Sequence, residues 1–387
     1  MKQILIVVAS FRHGGISKSL ENLLSLIDAE KYRIDVFAMD HYGPYKTMLI
    51  NCTILKKNKW LESLSARYSD TKGVARMRSF FIKILRNLCS YIRFDITDFI
   101  FKFAMKRISK DKKYDTVIAY SEGAPTRFVS FFNVHNKIAW IHCEYSNYLK
   151  IINNVDETKT YDKYKSIICV SDYTKKDFCR IMPSMYSRTY SIHNVLNTSL
   201  IFELSKEKII DEHFVKKNFT IISIGRNDWV KRVYIIPQIA RALKDKGCEF
   251  KWYLIGPQGL TDDHKKLESN IIHYEVSDCF CWLDTKDNPY PYLAQSDLLV
   301  NVSISEACPF VINEAKVLHI PVVCTDFDSA IEFIEDGING FIAPIEQITD
   351  KIYILIKNKE EYNRIKENIY SFIYDNEKML KDIYALL

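Results

Sequence analysis

The sequence has no apolar run long enough to cross a bilayer, and its first apolar stretch starts too early and is too short for a secretory signal. Its ten cysteines are scattered, with Cys279 and Cys281 as the only close pair, so no zinc-type pair of pairs is present. Free thiols in a reducing cytosol explain this distribution most simply. We therefore expect a cytoplasmic protein without a zinc site.

The first apolar stretch is also not followed by a Gly-x-Gly-x-x-Gly motif, because only His13-Gly14-Gly15 stands there. This makes a dinucleotide-dependent dehydrogenase a poor hypothesis. The 387 residues, 48% of them hydrophobic, are too many for one ordinary core and suit two globular domains.

Short apolar stretches alternate with amphipathic ones along the chain, which predicts parallel strands joined by helices. The predicted strands begin near residues 3, 32, 115, 137, 166 and 219. The turn at Ser171-Asp172-Tyr173-Thr174 predicts a helix cap. A polar stretch over residues 194–218 predicts the linker between two α/β halves.

The segment from Val300 to Ala315 combines the end of a predicted strand, a polar turn and the start of a predicted helix. Pro309 suits the first turn of a helix, where its missing N–H is not needed. Glu306 and Glu314 flank the turn, and ligands of open α/β sheets bind at this carboxyl edge. We therefore expect the catalytic residues to lie in this segment.

Four ordered motifs strengthen this expectation. They are Glu306-x7-Glu314-Ala315, Pro321-Val322-Val323-Cys324-Thr325-Asp326, Glu335 to Pro344 with Asp336-Gly337-Ile338-Asn339-Gly340, and Ser223-Ile224-Gly225-Arg226 followed by Lys231-Arg232. Together they resemble the retaining GT-B glycosyltransferases of group 1 (family GT4), which build bacterial surface polysaccharides such as capsule. The resemblance covers most of the C-terminal half.

The resemblance implies a GT-B fold, with two Rossmann-like parallel-sheet domains facing a central cleft. It implies an N-terminal acceptor domain over residues 1–200 and a C-terminal donor domain over 201–369. A terminal helix over 370–387 is expected to return to the first domain, as in similar enzymes.

The resemblance also assigns roles in the donor domain. Glu314 would bind the ribose hydroxyls and Glu306 would lie near the donor sugar, while Arg226 and Lys231 would neutralise the diphosphate. The remaining expected donor-site residues are Gly225, Pro309, Phe310 and Val311. Neither a metal nor a cofactor is expected. The donor would be a UDP- or GDP-linked sugar, although Ala307-Cys308 replaces the usual Gly-Phe and leaves the sugar open.

In the first domain, Gly14-Gly15 follows a predicted strand and precedes a predicted helix, so its backbone N–H groups could approach a phosphate or an acceptor. Such a pair also simply makes turns. His142 stands at the end of a predicted strand, where similar enzymes often carry a histidine near the donor sugar. A buried, hydrogen-bonded histidine is the structural alternative.

Residues 72–113 interleave basic and aromatic side chains at helical spacing, which suits an anionic bilayer surface. The net charge of +6 fits such peripheral attachment. A solvated basic helix face that packs on the core is an equal alternative. No motif indicates nucleic-acid binding.

The sequence thus predicts a retaining transferase on the cytoplasmic face of the membrane. It would move a hexose-type sugar from a nucleotide donor to a lipid-linked saccharide or another surface glycan. Two alternatives stay open: a GT-B sugar-nucleotide epimerase, and an inactive GT-B partner subunit that binds nucleotide or lipid.

Overall fold

The computed structural model describes residues 1–65, 72–91, 95–257 and 261–387, without the side chains of residues 87–91 and Thr261. The chain forms two compact units. The N-unit comprises Met1–Leu196 and Asn376–Leu387, and the C-unit comprises Asn197–Asp375.

The described part of the N-unit contains a parallel sheet of seven strands in the order β3-β2-β1-β4-β5-β6-β7. The strands are β1 (Lys2–Ser10), β2 (Tyr32–Asp40), β3 (Thr53–Ile54), β4 (Thr116–Ala119), β5 (Asn136–Ile141), β6 (Ser166–Cys169) and β7 (Thr189–Ser191). The helices are α1 (Gly15–Leu26), α2 (Lys59–Ser65), α3 (Gly73–Tyr91), α4 (Ile96–Ile108), α5 (Ala124–Val129), α6 (Tyr145–Ile151), α7 (Thr158–Tyr161), α8 (Asp172–Ile181) and, far along the chain, α17 (Asn376–Leu386). Short 3₁₀ turns occupy Pro44–Thr47 and Pro183–Arg188.

The C-unit repeats this plan with a parallel sheet whose six described strands run in the order β10-β9-β8-β11-β12-β13. They are β8 (Thr220–Ile224), β9 (Lys251–Ile255), β10 (Phe280–Trp282), β11 (Leu298–Asn301), β12 (Val322–Thr325) and β13 (Phe341–Ala343). The helices are α9 (Thr198–Leu204), α10 (Ile236–Asp245), α11 (Thr261–His273), α12 (Tyr290–Ala294), α13 (Phe310–Val317), α14 (Ala330–Phe333), α15 (Ile348–Lys357) and α16 (Lys359–Tyr370). Short 3₁₀ turns occupy Val233–Ile235 and Ile345–Gln347.

In each sheet the strand order reverses once, between β1 and β4 in the N-unit and between β8 and β11 in the C-unit. We call these positions the N-switch and the C-switch. The loops that leave the carboxyl ends of two neighbouring strands diverge there, so a crevice opens above the sheet edge. Open α/β sheets bind their ligands at such points.

The strands form where the sequence has continuous apolar runs, because both faces of a parallel sheet are covered by helices. Ile4 to Val8 and Leu298 to Val300, for example, are at most 2% exposed. The predicted fold of two doubly wound parallel-sheet units is confirmed. The predicted cap is also confirmed, since Ser171 and Thr174 form a reciprocal capping box at the start of α8. Within the described ranges, no helix combines the length and apolar character needed to cross a membrane.

The division between the units lies after Leu196, a few residues before the predicted position, and the whole of α9 belongs to the C-unit. Only α17 joins the N-unit, whereas residues 370–375 stay with the C-unit. The side-chain amide of Asn376 accepts a hydrogen bond from the Leu196 backbone N–H at 2.9 Å and donates one to the Leu196 carbonyl at 2.7 Å. Further along α17, Tyr384 stacks on Tyr32 with ring centroids 5.3 Å apart.

We expect Asn376→Ala to lower the free energy of unfolding of the N-unit by roughly 1–3 kcal/mol, because two backbone groups of Leu196 lose their partner. Urea unfolding measures the change in global stability, and hydrogen exchange at the Leu196 amide measures the change in local stability. The exposed Lys381→Ala in the same helix is the control and should change little. Equal stability of both variants would contradict the anchoring role.

Candidate active site

Two loops meet at the C-switch, one following β8 and one following β11. The backbone N–H of Ile304 donates to the Val230 carbonyl at 2.8 Å, and the Arg232 Nε donates to the Val302 carbonyl at 3.0 Å. Arg232 itself has a left-handed backbone with φ of 53°, which a non-glycine residue adopts only when its surroundings hold it. The sheet and these contacts together hold the two loops side by side.

Asp228 organises the first loop. Its carboxylate accepts the Lys231 backbone N–H at 2.9 Å and pairs with the Arg226 guanidinium at 3.2 Å. The Arg226 side chain is nevertheless 65% exposed. Lys231 is therefore directed inwards by its backbone, while Arg226 stays available to solvent or to a ligand.

Glu306, in the second loop, lies at the centre of the site. Its Oε1 contacts the Lys231 Nζ at 2.5 Å and accepts hydrogen bonds from the Ser303 Oγ at 2.7 Å and the Asn301 Nδ2 at 3.3 Å. The carboxylate side chain is 9% exposed and the lysine side chain 24%. This is a largely buried ion pair that neighbouring polar groups complete.

The backbone of the second loop is held from the far side by the last residue of β12 and by a residue after that strand. The Thr325 Oγ1 donates to the Ser303 carbonyl at 2.5 Å, and the Ser329 Oγ donates to the Glu306 carbonyl at 2.7 Å. These hydroxyls are buried. The position of the Glu306 carboxylate thus depends on three successive strand ends.

The charge state of Glu306 follows from competing effects. Burial alone raises the pKa of the carboxyl group, but the Lys231 ammonium and the hydrogen bonds from Lys231, Ser303 and Asn301 outweigh it and lower the pKa below the ordinary 4.5. Glu306 is therefore ionised at neutral pH, and its pair with Lys231 is intact.

Glu314 lies in the second turn of α13 and is 3% exposed. The Tyr290 hydroxyl donates to its Oε1 at 3.1 Å. Burial, followed by the charges of Cys308 and Glu314, raises the pKa of the nearby Tyr374 phenol well above its usual value. Glu314 is thus a buried acceptor among tyrosines rather than a solvated helix-end carboxylate.

The apolar residues expected at the donor site lie at the start of α13. Pro309 precedes the helix as its N-cap residue, one position earlier than its predicted place in the first turn, and Phe310 and Val311 open the helix. Val311 lines a small recess together with Gly225 and Lys231. The Gly225 carbonyl lies so close to Gly256 that a Cβ on Gly256 would come within 1.9 Å of it, so a side chain there would displace the Gly225 loop.

His142 belongs to the N-unit and follows β5. Its ring packs against Tyr120 and Trp140 at 5.0 and 6.1 Å between centroids, and its Nε2 is buried without a hydrogen-bond partner among the described residues. Burial lowers the pKa of the imidazole to about 3, so the ring is neutral at physiological pH. The predicted alternative of a fully hydrogen-bonded histidine does not describe this ring.

Gly14 and Gly15 lie at the N-switch, where Gly14 caps α1 and its carbonyl accepts the Lys18 N–H at 3.1 Å. An added Cβ at either glycine would meet nothing within 4 Å. The space beside both glycines is therefore open, and contact with a phosphate or an acceptor stays a prediction. His142, Gly14 and Gly15 belong to one unit, and the other predicted site residues belong to the C-unit.

The structure brings Lys231, Glu306, Gly225 and Val311 together and adds residues that the sequence analysis did not single out. Ser303 and Asn301 lie in the segment from Val300 to Ala315, so their position at the end of a predicted strand was a usable signal. Tyr290 lies 24 residues before Glu314, and no local pattern indicates that pairing.

The scan against protein-family models identifies a match over residues 205–372 to the family described as glycosyl transferases group 1. Residues 205–372 thus resemble the glycosyl transferases of group 1. The matched span holds all the predicted donor-site residues of the C-unit.

The curated relatives of this chain are distant. An uncharacterized glycosyltransferase of Methanocaldococcus jannaschii is 24% identical over 268 residues, which cover 65% of this chain and 63% of the relative. A Klebsiella pneumoniae protein described as an uncharacterized 41.2 kDa protein in cps region is 24% identical over 308 residues, 73% of this chain and 74% of its own. The chain thus matches about three fifths of the archaeal relative's length.

Among solved structures, Anabaena HepE in complex with UDP and glucose superimposes with a TM-score of 0.73 at 18% identity, covering 100% of this chain and 99% of HepE. Staphylococcus aureus TarM superimposes with a TM-score of 0.71 at 15% identity, covering 100% and 99%. These likenesses establish the fold of the GT-B glycosyltransferases.

We expect Lys231→Met to lower the free energy of unfolding of the C-unit by roughly 3 kcal/mol at pH 7, since a buried carboxylate loses its counter-charge. The folded-state pKa of Glu306 lies below 4.5, so the pair stabilises the wild type above that pH and is lost as the pH falls through the folded value. In the variant, the Lys231 charge no longer opposes the burial of Glu306, so burial raises this pKa. The difference in the free energy of unfolding between wild type and variant should therefore become smaller as the pH falls from 7 towards 5.

Denaturant titrations at both pH values measure this, with Lys246→Met as the control. Lys246 forms an exposed ion pair with Asp350 at 3.0 Å, whose loss should change the stability little at either pH because solvent screens the pair. A deficit of Lys231→Met that does not change with pH would contradict the assignment of a charged Glu306.

Proposed function

We propose that the protein is a retaining glycosyltransferase that moves a hexose-type sugar from a UDP- or GDP-linked donor to a lipid-linked saccharide or another surface glycan. The observation that carries the proposal is the largely buried Glu306–Lys231 pair at the C-switch, beside the exposed Arg226 guanidinium. HepE, which shares the fold, is described in complex with UDP and glucose, and the Klebsiella relative lies in a cps region.

The chemistry requires negative charge to be stabilised as the bond between the anomeric carbon and the diphosphate oxygen breaks. The leaving diphosphate takes the bonding electrons, and the acceptor oxygen bonds to the anomeric carbon and gives its proton to the leaving diphosphate. Arg226 offers a bidentate guanidinium and Lys231 a point charge to the diphosphate. Because Asp228 and Glu306 hold these cations before the substrate arrives, little reorganisation is needed in the transition state.

Glu306 would hold Lys231 in place and present its carboxylate near the donor sugar, where cation-like charge develops. Glu314 would accept the ribose hydroxyls, with Tyr290 orienting its carboxylate. His142, neutral at physiological pH, would exchange a hydrogen bond with a sugar hydroxyl rather than donate a full charge. Pro309, Phe310 and Val311 would line the pocket at the start of α13.

We further propose that the reaction needs neither metal nor cofactor, because Arg226 and Lys231 supply the positive charge that a metal ion would otherwise supply. The backbone N–H groups at the start of α13 add donors of the same sign. This remains a prediction for activity assays in the presence of a chelator.

Saturating UDP or GDP should raise the melting temperature of the protein without added metal, since a ligand that binds only the folded state stabilises it by about 2.7 kcal/mol at 100 times Kd. We expect Glu314→Gln to weaken the effect of the preferred nucleotide by about tenfold or more in apparent Kd, because an amide NH2 replaces one oxygen that would accept a ribose hydrogen bond. Thermal-shift titrations measure both effects.

Glu346→Gln, an exposed glutamate elsewhere in the C-unit, is the matched control and should behave as wild type. If neither nucleotide stabilises the protein, the donor site is wrongly assigned.

We also propose that the N-unit places the enzyme on an anionic membrane through an apolar face on α3 and α4. This α3–α4 face consists of Val74, Met77, Phe80, Phe81, Ile84, Phe99 and Phe103, all at least 41% exposed. The opposite side of the same helices does pack on the core, through Ile82, Ile100, Phe101 and Ala104. Core packing thus accounts for only part of the apolar surface.

The charge of the same helices favours an anionic bilayer as the occupant. The basic residues on or next to them include Lys72, Arg76, Arg78, Lys83, Arg86, Lys102, Lys106 and Arg107. Basic side chains around an apolar face attract acidic headgroups while the apolar groups enter the interface. Residues 92–94 and the side chains of 87–91, which belong to the predicted segment 72–113, lie outside the described residues.

We expect the double variant Met77→Asp/Phe81→Asp to lower binding to phosphatidylglycerol vesicles by at least about tenfold, because burial of each apolar side chain contributes roughly 1.5–3 kcal/mol. Flotation with vesicles of phosphatidylglycerol and phosphatidylcholine measures the bound fraction. Ile331→Asp changes an equally exposed apolar residue of the C-unit and serves as the control. Wild-type protein that stays unbound on phosphatidylglycerol would refute this proposal.

A further inference from the structure

A cavity of about 400 Å³ lies in the N-unit beyond the carboxyl end of β2, beneath α2 and the first turns of α3. The residues lining it are Asp40, His41, Tyr42, Lys46, Lys57, Glu62, Ser63, Lys72, Ala75, Arg78 and Ser79. We call it the α2–α3 cavity. Its volume is in the range of small-ligand pockets, and it contains none of the residues assigned above to the donor site.

The charges around the α2–α3 cavity do not cancel. Asp40 pairs with the Arg12 guanidinium at 2.7 Å, and Glu62 pairs with Lys57 at 3.2 Å, so both carboxylates are already neutralised. Three more cations line the cavity, namely Lys46, Lys72 and Arg78. No ion-pair partner for them occurs among the described residues. The cavity therefore carries an excess of positive charge.

Two polar atoms at the cavity lack hydrogen-bond partners. Ser79 is 4% exposed and its Oγ is buried without a partner among the described residues, and the same holds for the Nε2 of His41. The Arg78 Nε donates to the Ser63 Oγ, which leaves its other N–H groups for a ligand. Buried polar atoms without partners are costly, so their collection at one cavity points to a group that satisfies them.

The chemistry of that group follows from its partners. The cavity offers two ammonium groups, a guanidinium, a hydroxyl and an imidazole, so it suits an anion with several oxygens and more than one charge. The positive end of α3 adds to this field, since no acidic residue lies in its first turn. A phosphate group fits the donors better than a carboxylate, which has two oxygens and one charge.

We propose that the α2–α3 cavity binds a phosphate or diphosphate monoester and, resting on the transferase function proposed above, that this group belongs to the acceptor. The enzyme then holds two phosphate-bearing ligands, the nucleotide in the C-unit and the acceptor in the N-unit. The acceptor is thereby restricted to sugars or lipids that carry a phosphate.

Inorganic pyrophosphate is the first probe, titrated calorimetrically into the whole protein with saturating UDP and GDP present so that the donor site is occupied. We expect pyrophosphate to bind under these conditions. Lys46→Gln/Lys72→Gln should weaken this binding at least about tenfold, and Ser79→Ala about threefold or more, because charge-assisted hydrogen bonds are lost. Both lysines are exposed, and the serine variant removes only a hydroxyl without a described partner, so both variants should fold.

Lys56→Gln/Lys59→Gln removes the same charge from exposed positions next to the cavity and should leave pyrophosphate binding unchanged. An equal loss in this control would mean that only the overall charge matters and would overturn the proposal. Displacement of pyrophosphate by UDP, or binding unaffected by all cavity variants, would also overturn it.

Two further titrations identify what carries the phosphate. Glucose 1-phosphate and a short-chain alkyl diphosphate are compared under the same conditions, and tighter binding of either one supports the cavity and assigns the acceptor as sugar-linked or lipid-linked. Failure of the donor assignment is recognised separately. In that case neither UDP nor GDP raises the melting temperature of the wild type. Pyrophosphate still binds without nucleotide, and its binding still depends on Lys46, Lys72 and Ser79.

Discussion

The ion pair between Glu306 and Lys231 is the interaction on which the C-switch depends. It joins the loop after β8 to the loop after β11, and its position is fixed by Ser303 and by hydroxyls at and after the end of β12. Removing two charges from water is costly, so such a pair persists only where further hydrogen bonds complete it. The same pair that joins the loops also keeps a cation and an anion ready at the sheet edge.

Both units use one architectural rule, a reversal of strand order that opens a crevice, but they arrange their charged residues differently. At the C-switch the opposite charges pair with each other, and Arg226 alone remains well exposed. In the N-unit the two carboxylates next to the α2–α3 cavity pair with Arg12 and Lys57, and among the described residues the cations Lys46, Lys72 and Arg78 line the cavity without an ion-pair partner. The charges at the C-switch are thus paired within the protein, whereas those cations are not paired with any described residue.

The sequence predicts the fold well because buried parallel strands are continuous apolar runs, and β1, β2, β5 and β8 appear within two residues of their predicted starts. It also predicts that Glu306 and Lys231 matter, because each stands in a recognisable motif. It does not predict that they touch, since 75 residues separate them and only the strand order brings them together. The α2–α3 cavity is invisible in the sequence for the same reason, because Lys46 and Ser79 lie on separate elements with no shared pattern.

The return of α17 to the N-unit has a consequence for synthesis of the chain. On the ribosome, residues 1–196 emerge first. The helix that hydrogen-bonds the Leu196 backbone and stacks on Tyr32 emerges only after the whole C-unit. The C-unit is continuous and can complete its core during translation, whereas the N-unit must wait with part of its surface uncovered. The later unit in sequence is therefore the earlier one to be finished.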